Sequence, residues 1–263
     1  MDLLIKGKVA VVAAASKGLG KAVAEALAKE GVNIAMCARN KEQLHKTAKE
    51  IVNNYKIDVL PIVCDVTNKS DIDNLQKQVI EHFGTCHILF TNAGGPPSGR
   101  LRDFKGSDFQ KAIELNLIST INLVNAFLPF MQDQKWGRII ASTSSNIRQL
   151  LPQFPLSNVS RVGVVSYIKT FAKEYAKYNI TANVLAPGLF LTDPTKNDIK
   201  KQSELEKVTY DEMVKKVAAT IPTNSIGNPN DFGSLAAFIA SEHASFITGE
   251  TFLIDGGEYS GVI

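Results

Sequence analysis

Cysteine is scarce in this chain of 263 residues: Cys37, Cys64 and Cys86 make an odd set without regular spacing. That excludes a disulfide framework and suits buried thiols in a reducing, cytoplasmic setting. An excess of either charge is also lacking. The 29 Lys and Arg stand against 26 Asp and Glu, a formal net charge of +3. No basic block marks a phosphate-tracking surface, so no nucleic-acid partner is expected. No apolar run reaches the roughly 18 residues of a membrane span, and no membrane partner is expected. The opening MDLLIKGKVAVV lacks the charged head, long apolar stretch and cleavage site of a secretory signal. Low-complexity tracts and repeats of about 20 to 50 residues are missing as well. No metal site is expected.

What remains is an ordinary globular composition, 44% hydrophobic and 21% charged. Short apolar runs at 9–14, 32–38, 59–64, 88–91, 138–142, 181–186 and 251–254 alternate with amphipathic stretches such as 20–30, 42–54 and 71–83. Strands alternating with helices of this length predict βαβ units on a parallel sheet, with helices on both faces. The expected fold class is α/β: a Rossmann-type, doubly wound parallel sheet of about seven strands in three layers. One domain over 1–263 is expected. The polar stretch 192–225 breaks the rhythm and reads as a substrate-loop insertion of one or two surface helices.

The first strand runs into Ala13-Ala14-Ala15-Ser16-Lys17-Gly18-Leu19-Gly20, and a helix follows. A turn between the first strand and helix is where a dinucleotide pyrophosphate sits. Glycines admit the backbone there, and the helix N-terminus offers free N–H groups. Ala14, Ser16, Lys17, Gly18, Leu19 and Gly20 are therefore candidate cofactor residues. Arg39 and Asn40 follow the second strand, and no acidic residue appears until Glu42. An acidic residue there would hold both ribose hydroxyls and repel a 2′-phosphate; Lys17 and Arg39 do the reverse, favouring NADP(H) over NAD(H).

Further segments carry a resemblance. Cys64-Asp65-Val66 follows the third strand, Thr91-Asn92-Ala93-Gly94 the fourth, and Pro187-Gly188-Leu189-Phe190-Leu191-Thr192 the sixth; Ile254-Asp255-Gly256-Gly257 ends the last. In this order they resemble the short-chain dehydrogenase/reductase family over essentially the whole chain. The overall pattern is most similar to a divergent branch near the β-ketoacyl-acyl-carrier-protein reductases. Gly18 and Gly20 match the last two glycines of the family's TGxxxGxG turn, where Ala13-Ala14 replaces Thr-Gly. Alanine is accommodated there if its φ stays negative. The resemblance implies that Asp65, beside Val66, contacts the adenine amine, and that Asn92, Ala93 and Gly94 line the adenosine side. It implies that Thr192, after Pro187 and Gly188, meets the nicotinamide carboxamide.

The family moves a hydride to or from a carbonyl/hydroxyl carbon, using an asparagine, a serine and a YxxxK pair. The resemblance places the asparagine at Asn116 and the serine at Ser144, with Ser142 and Ser145 as close competitors. Counting back from Asn183-Val184-Leu185-Ala186-Pro187-Gly188 puts Ser157 at the tyrosine position and Arg161 at the lysine position. Tyr55, Tyr167, Tyr175, Tyr178, Tyr210 and Tyr259 all lack a lysine four residues on, so the motif has no displaced copy. Ser157 and Arg161 lie one helical turn apart on one face. Arg161 then holds the nicotinamide ribose or a negative substrate oxygen, and Arg148, in the loop at 146–149, is placed to meet an acidic substrate. The loop at 94–99 is a second candidate wall. Two functions follow: an NADP(H)-dependent oxidoreductase with an unorthodox proton donor, acting on a small carbonyl or alcohol, or a catalytically impaired, regulatory NADP(H)-binding protein. Family analogy adds a homotetramer or dimer, with an interface expected around Val162, Val165 and Ile168.

Overall fold

The computed structural model describes residues 1–262. Seven strands form one sheet: β1 (Val9–Ala13), β2 (Asn33–Ala38), β3 (Val59–Val63), β4 (Ile88–Thr91), β5 (Gly137–Ser142), β6 (Ile180–Pro187) and β7 (Thr251–Ile254). Their order is β3-β2-β1-β4-β5-β6-β7 and every pairing is parallel. This is the doubly wound, Rossmann-type sheet the alternation predicts. Each predicted strand is present within a residue or two of its expected ends.

The helices are α1 (Gly18–Lys29), α2 (Lys41–Tyr55), α3 (Lys69–Phe83), α4 (Gly106–Ile113), α5 (Ser119–Asp133), α6 (Pro155–Tyr175), α7 (Asp193–Glu206), α8 (Tyr210–Ala218) and α9 (Pro229–Ile239). Successive strand residues point to opposite faces, so the inner strands feed two cores. Val12, Ile34, Met36, Phe90 and Leu185 pack with Val23 and Leu27 of α1, Leu44 of α2 and Phe232 of α9. Val11, Ala35, Cys37, Leu89 and Val184 pack on the other face with Leu75 of α3, Phe127 of α5 and Val164 and Ile168 of α6. A strand buried on both faces draws mostly on apolar side chains, which is why the runs read as near-continuous rather than alternating.

Between α4 and α5 a π-helical turn spans Glu114–Ile118. The combined path Gly106–Asp133 is long and apolar enough, by length and composition, to cross a membrane. Its residues Leu123, Val124, Phe127 and Met131 are buried beneath the sheet. The polar stretch 192–225 holds α7 and α8, two helices as expected. The proposed interface face needs correction: Ile168 is fully buried in the core, and the exposed apolar residues of α6 are Val159 and Val162.

A parallel sheet collects the carboxyl ends of its strands along one edge. The order reverses between β1 and β4, which opens a crevice at that edge, the place where open α/β sheets bind ligands.

Candidate active site

The phosphate turn is built by two glycines with different duties. Gly18 has φ +60, a conformation that costs glycine little. A Cβ on Gly20 would lie 2.3 Å from the Ala14 carbonyl oxygen, so only glycine lets α1 leave β1 this tightly. Ala14 departs from expectation: its φ is +51 rather than negative. A non-glycine residue there is strained by about 1–2 kcal/mol, held because Ala15 N bonds to the Cys37 carbonyl and the strand behind is fully buried.

α1 begins without a side-chain cap at Lys17 and without an acidic residue in its first turn. Its free N–H groups and positive dipole end therefore stand open to an anion. Added Cβ atoms at Gly94 and Gly95 would meet nothing within 4 Å, so the floor beyond β4 is open too. These residues fit a dinucleotide.

The crevice is a cavity of about 570 Å³. Of the residues predicted for the site, it brings together Ala14, Lys17, Gly18, Leu19, Asn92, Ala93, Gly94, Ser144, Ser157, Arg161, Pro187, Gly188 and Thr192. Ser142 and Ser145 line it as well, so the three competing serines share one wall. The remaining predicted residues do not line it. Ser16 is buried, and its carbonyl accepts from Thr47 Oγ1 at 2.8 Å. Gly20 is the close-packed turn residue. Asn40 caps α2 by accepting from Gln43 N at 2.9 Å. Val66 is buried in the core. Arg39 is exposed beyond β2. Asp65 accepts from Thr67 N (3.0 Å) and Thr67 Oγ1 (2.8 Å). Those bonds, joined by the nearby Arg39 charge, hold its carboxyl below the ordinary range. Arg148 is exposed outside the cavity wall.

Asn116 sits in the π-helical turn, buried, behind the wall. Its Oδ1 accepts from Ser160 Oγ at 2.8 Å and its Nδ2 donates to the Gly94 carbonyl at 3.4 Å. It thus ties α6 to the loop after β4. Ser160 gave no signal in the sequence; only the packing of α6 against the π turn reveals it.

α6 opens with Pro155 at its first turn, whose fixed φ suits that position. It presents Phe154, Ser157 and Arg161 to the cavity. The Ser157 hydroxyl forms no side-chain hydrogen bond to another described residue. Ser144 Oγ accepts from Asn146 N at 3.3 Å, which fixes the short turn after β5. The Arg161 guanidinium donates to the Thr143 carbonyl, and its Nε has no partner. Burial pushes its pKa down to about 10, which leaves it cationic at neutral pH. Among the described residues no tyrosine lines the cavity, and Lys17 is its only lysine. Gly95, Pro96, Thr143, Asn146, Leu151, Phe154, Leu189, Pro194 and Glu258 complete the wall. The 192–225 stretch reaches it through Thr192 and Pro194. Glu258, after the paired glycines of the last strand, carries no motif that would have drawn notice.

The family described as enoyl-(acyl carrier protein) reductase matches residues 13–258. The chain belongs to the short-chain dehydrogenase/reductase family. Among its relatives in this family, the 3-oxoacyl-[acyl-carrier-protein] reductase of Vibrio cholerae is 32% identical over 260 residues, covering 97% of this chain and 98% of that one. That of Escherichia coli K12 is 29% identical over 256 residues, with 97% and 98% covered. L-sorbose reductase from Gluconobacter frateurii, solved with NADPH and L-sorbose, superimposes with a TM-score of 0.96 at 30% identity, covering all of both chains. An actinorhodin polyketide ketoreductase solved with NADPH follows at TM-score 0.90 and 26% identity, with 97% and 98% covered.

Proposed function

We propose that this short-chain dehydrogenase/reductase is an NADP(H)-dependent reductase of a small carbonyl compound, similar in kind to the β-ketoacyl reductases, with Ser157 and Arg161 standing where the family has tyrosine and lysine. The whole chain acts as one dinucleotide-binding domain, with α7 and α8 as its substrate loop. A cytoplasmic setting and a homotetramer or dimer go with this reading.

One observation carries it. A single cavity is walled by the phosphate turn at one side and by Ser144, Ser157 and Arg161 at the other. Relatives solved with NADPH share the fold over nearly their full length. When bound, NADPH supplies a hydride. The protein's part is to hold the substrate oxygen that gains negative charge. The Ser144 and Ser157 hydroxyls donate hydrogen bonds to that oxygen, and the fixed Arg161 charge stabilises it. A serine hydroxyl is a far weaker acid than tyrosine, whose pKa is about 10. Neither serine gives up its proton in the step; the proton that ends on the substrate oxygen comes from water, which is left as hydroxide. Losing a positioned general acid costs about 10²- to 10⁴-fold, so ordinary ketones turn over slowly. The absence of tyrosine from the cavity wall also supports a second reading, a regulatory NADP(H)-binding protein.

Titration separates the cofactors. NADPH binds more tightly than NADH, and Arg39→Asp abolishes or reverses the preference, a change of at least about tenfold from loss of a charge-assisted pair with the 2′-phosphate. Equal affinities in the unmutated protein sink the NADP(H) assignment. NADPH consumption with L-sorbose and a β-ketoacyl ester then distinguishes the reductase from the regulatory protein.

A further inference from the structure

Among the described residues, three charged side chains line the cavity: Lys17, Arg161 and Glu258. Lys17 and Glu258 are exposed, and water screens them. Arg161 is different. It is 8% exposed, forms no ion pair among the described residues, and spends one bond on the Thr143 carbonyl. Its Nε is buried without a partner. An unpaired cation taken out of water is costly, and native proteins retain one where a ligand supplies the missing charge.

Resting on the reductase reading above, we propose that the substrate is a 2-oxo acid, a carbonyl compound with a carboxylate beside its reacting carbon, and that Arg161 receives that carboxylate. A neutral ketone leaves the buried charge uncompensated. A carboxylate neutralises it and matches the planar fork of guanidinium donors, geometry that no ammonium offers. Ser157 and Arg161 stand one turn apart on one face of α6 and line the same cavity. A carbonyl oxygen held by Ser157 and Ser144 and an anion held by Arg161 therefore belong to one small substrate, which a 2-oxo acid satisfies. Leu151, Phe154 and Pro96 supply apolar wall in the same cavity, which suits an apolar third substituent.

The probe is oxamate, an unreducible 2-oxo-acid analogue, against its uncharged counterpart oxamide. Both are titrated by calorimetry into the full chain, with and without NADPH. Oxamate binds at least about tenfold more tightly than oxamide, the contribution of one charge-assisted bidentate pair. Arg161→Met removes the advantage, read as the ratio of oxamate to oxamide affinity within the variant. Arg161→Lys keeps part of it, because it keeps the charge and loses the fork. Equal binding of the two probes by the unmutated protein overturns the proposal, and so does an advantage that survives Arg161→Met. If Arg161→Met does not fold, the unmutated protein and Arg161→Lys decide. Failure of NADPH to bind overturns the reductase reading alone, since the probe comparison on the free chain still stands.

Discussion

Two arginines are buried at opposite ends of β5, and they are treated in opposite ways. Arg138, at the amino end, is fully buried. Its guanidinium donates to the carbonyls of Ser241 (3.4 Å), Gly137 (2.9 Å) and Asn179 (3.1 Å) and pairs with Glu242 at 3.4 Å. It lies 4.3 Å from the Trp136 ring centroid, on a ring that also carries Lys8 at 3.9 Å. Arg161 lies against Thr143, just past the carboxyl end, with one acceptor and an idle Nε. Burial lowers both pKa values, and only Arg138 has an acidic neighbour to raise its own again. The amino end of the sheet is closed on itself, whereas the carboxyl end is left with unused donors. In a doubly wound fold, that imbalance marks the ligand-binding edge as clearly as the cavity does.

The sharpest way to break the comparison is at the closed end. Arg138→Ala removes a cation with four acceptors and leaves a void under Trp136. We expect a loss of about 3 kcal/mol or more in urea unfolding, from stranded buried acceptors and an unfilled cavity. A loss near zero means the two arginines do not differ in the way their partners indicate. At the open end the expected effect is on turnover. Ser157→Tyr with Arg161→Lys restores an acid and its ammonium at helical spacing. It raises reduction of a permissive, uncharged ketone at least about tenfold, and Ser157→Tyr alone does less. If the unmutated protein turns over its own substrate rapidly and the double variant is inactive, Ser157 and Arg161 form a working alternative site rather than a depleted one.

A smaller effect sharpens the contrast in stability. Arg161→Met removes an uncompensated buried cation, so the ligand-free protein gains about 1 kcal/mol, opposite in sign to Arg138→Ala. Urea denaturation of the two variants side by side checks the sign. The smallest effect is a pH dependence confined to the closed end. His87 Nδ1 accepts from Val9 N at 3.1 Å, which requires that nitrogen unprotonated. Burial, with the Lys8 charge beside it, pulls its pKa from 6.5 to about 4. The unfolded chain takes the proton below about 6.5 while the folded one refuses it until about 4. His87 therefore contributes stability above pH 6.5 that is lost as pH falls through that window. His87→Gln flattens the stability profile between those two values; an unchanged profile removes His87 as its source.

Much of this molecule is legible in one dimension. A strand buried on both faces is mostly apolar, so the seven runs and their alternation with amphipathic helices specify the class of sheet without any tertiary knowledge. The turn at residues 13–20 and the Lys17 and Arg39 cations are equally plain, because short-range backbone needs and charge are written in residue type. The serine and arginine of α6 were found by counting from a neighbouring segment, since helical spacing preserves register. Other features belong to the tertiary structure alone. Ala14 adopts a positive φ because the packed strand and the close approach of Gly20 override its intrinsic preference. Ile168 faces the core and Val162 the solvent because the sheet, not the helix, decides which side of α6 is covered. Ser160 reaches Asn116 only because a π turn is packed against α6. The sequence determined that an arginine stands four residues after Ser157. Burial without an acidic neighbour, which gives that arginine its chemical meaning, depends on what the rest of the fold places around it.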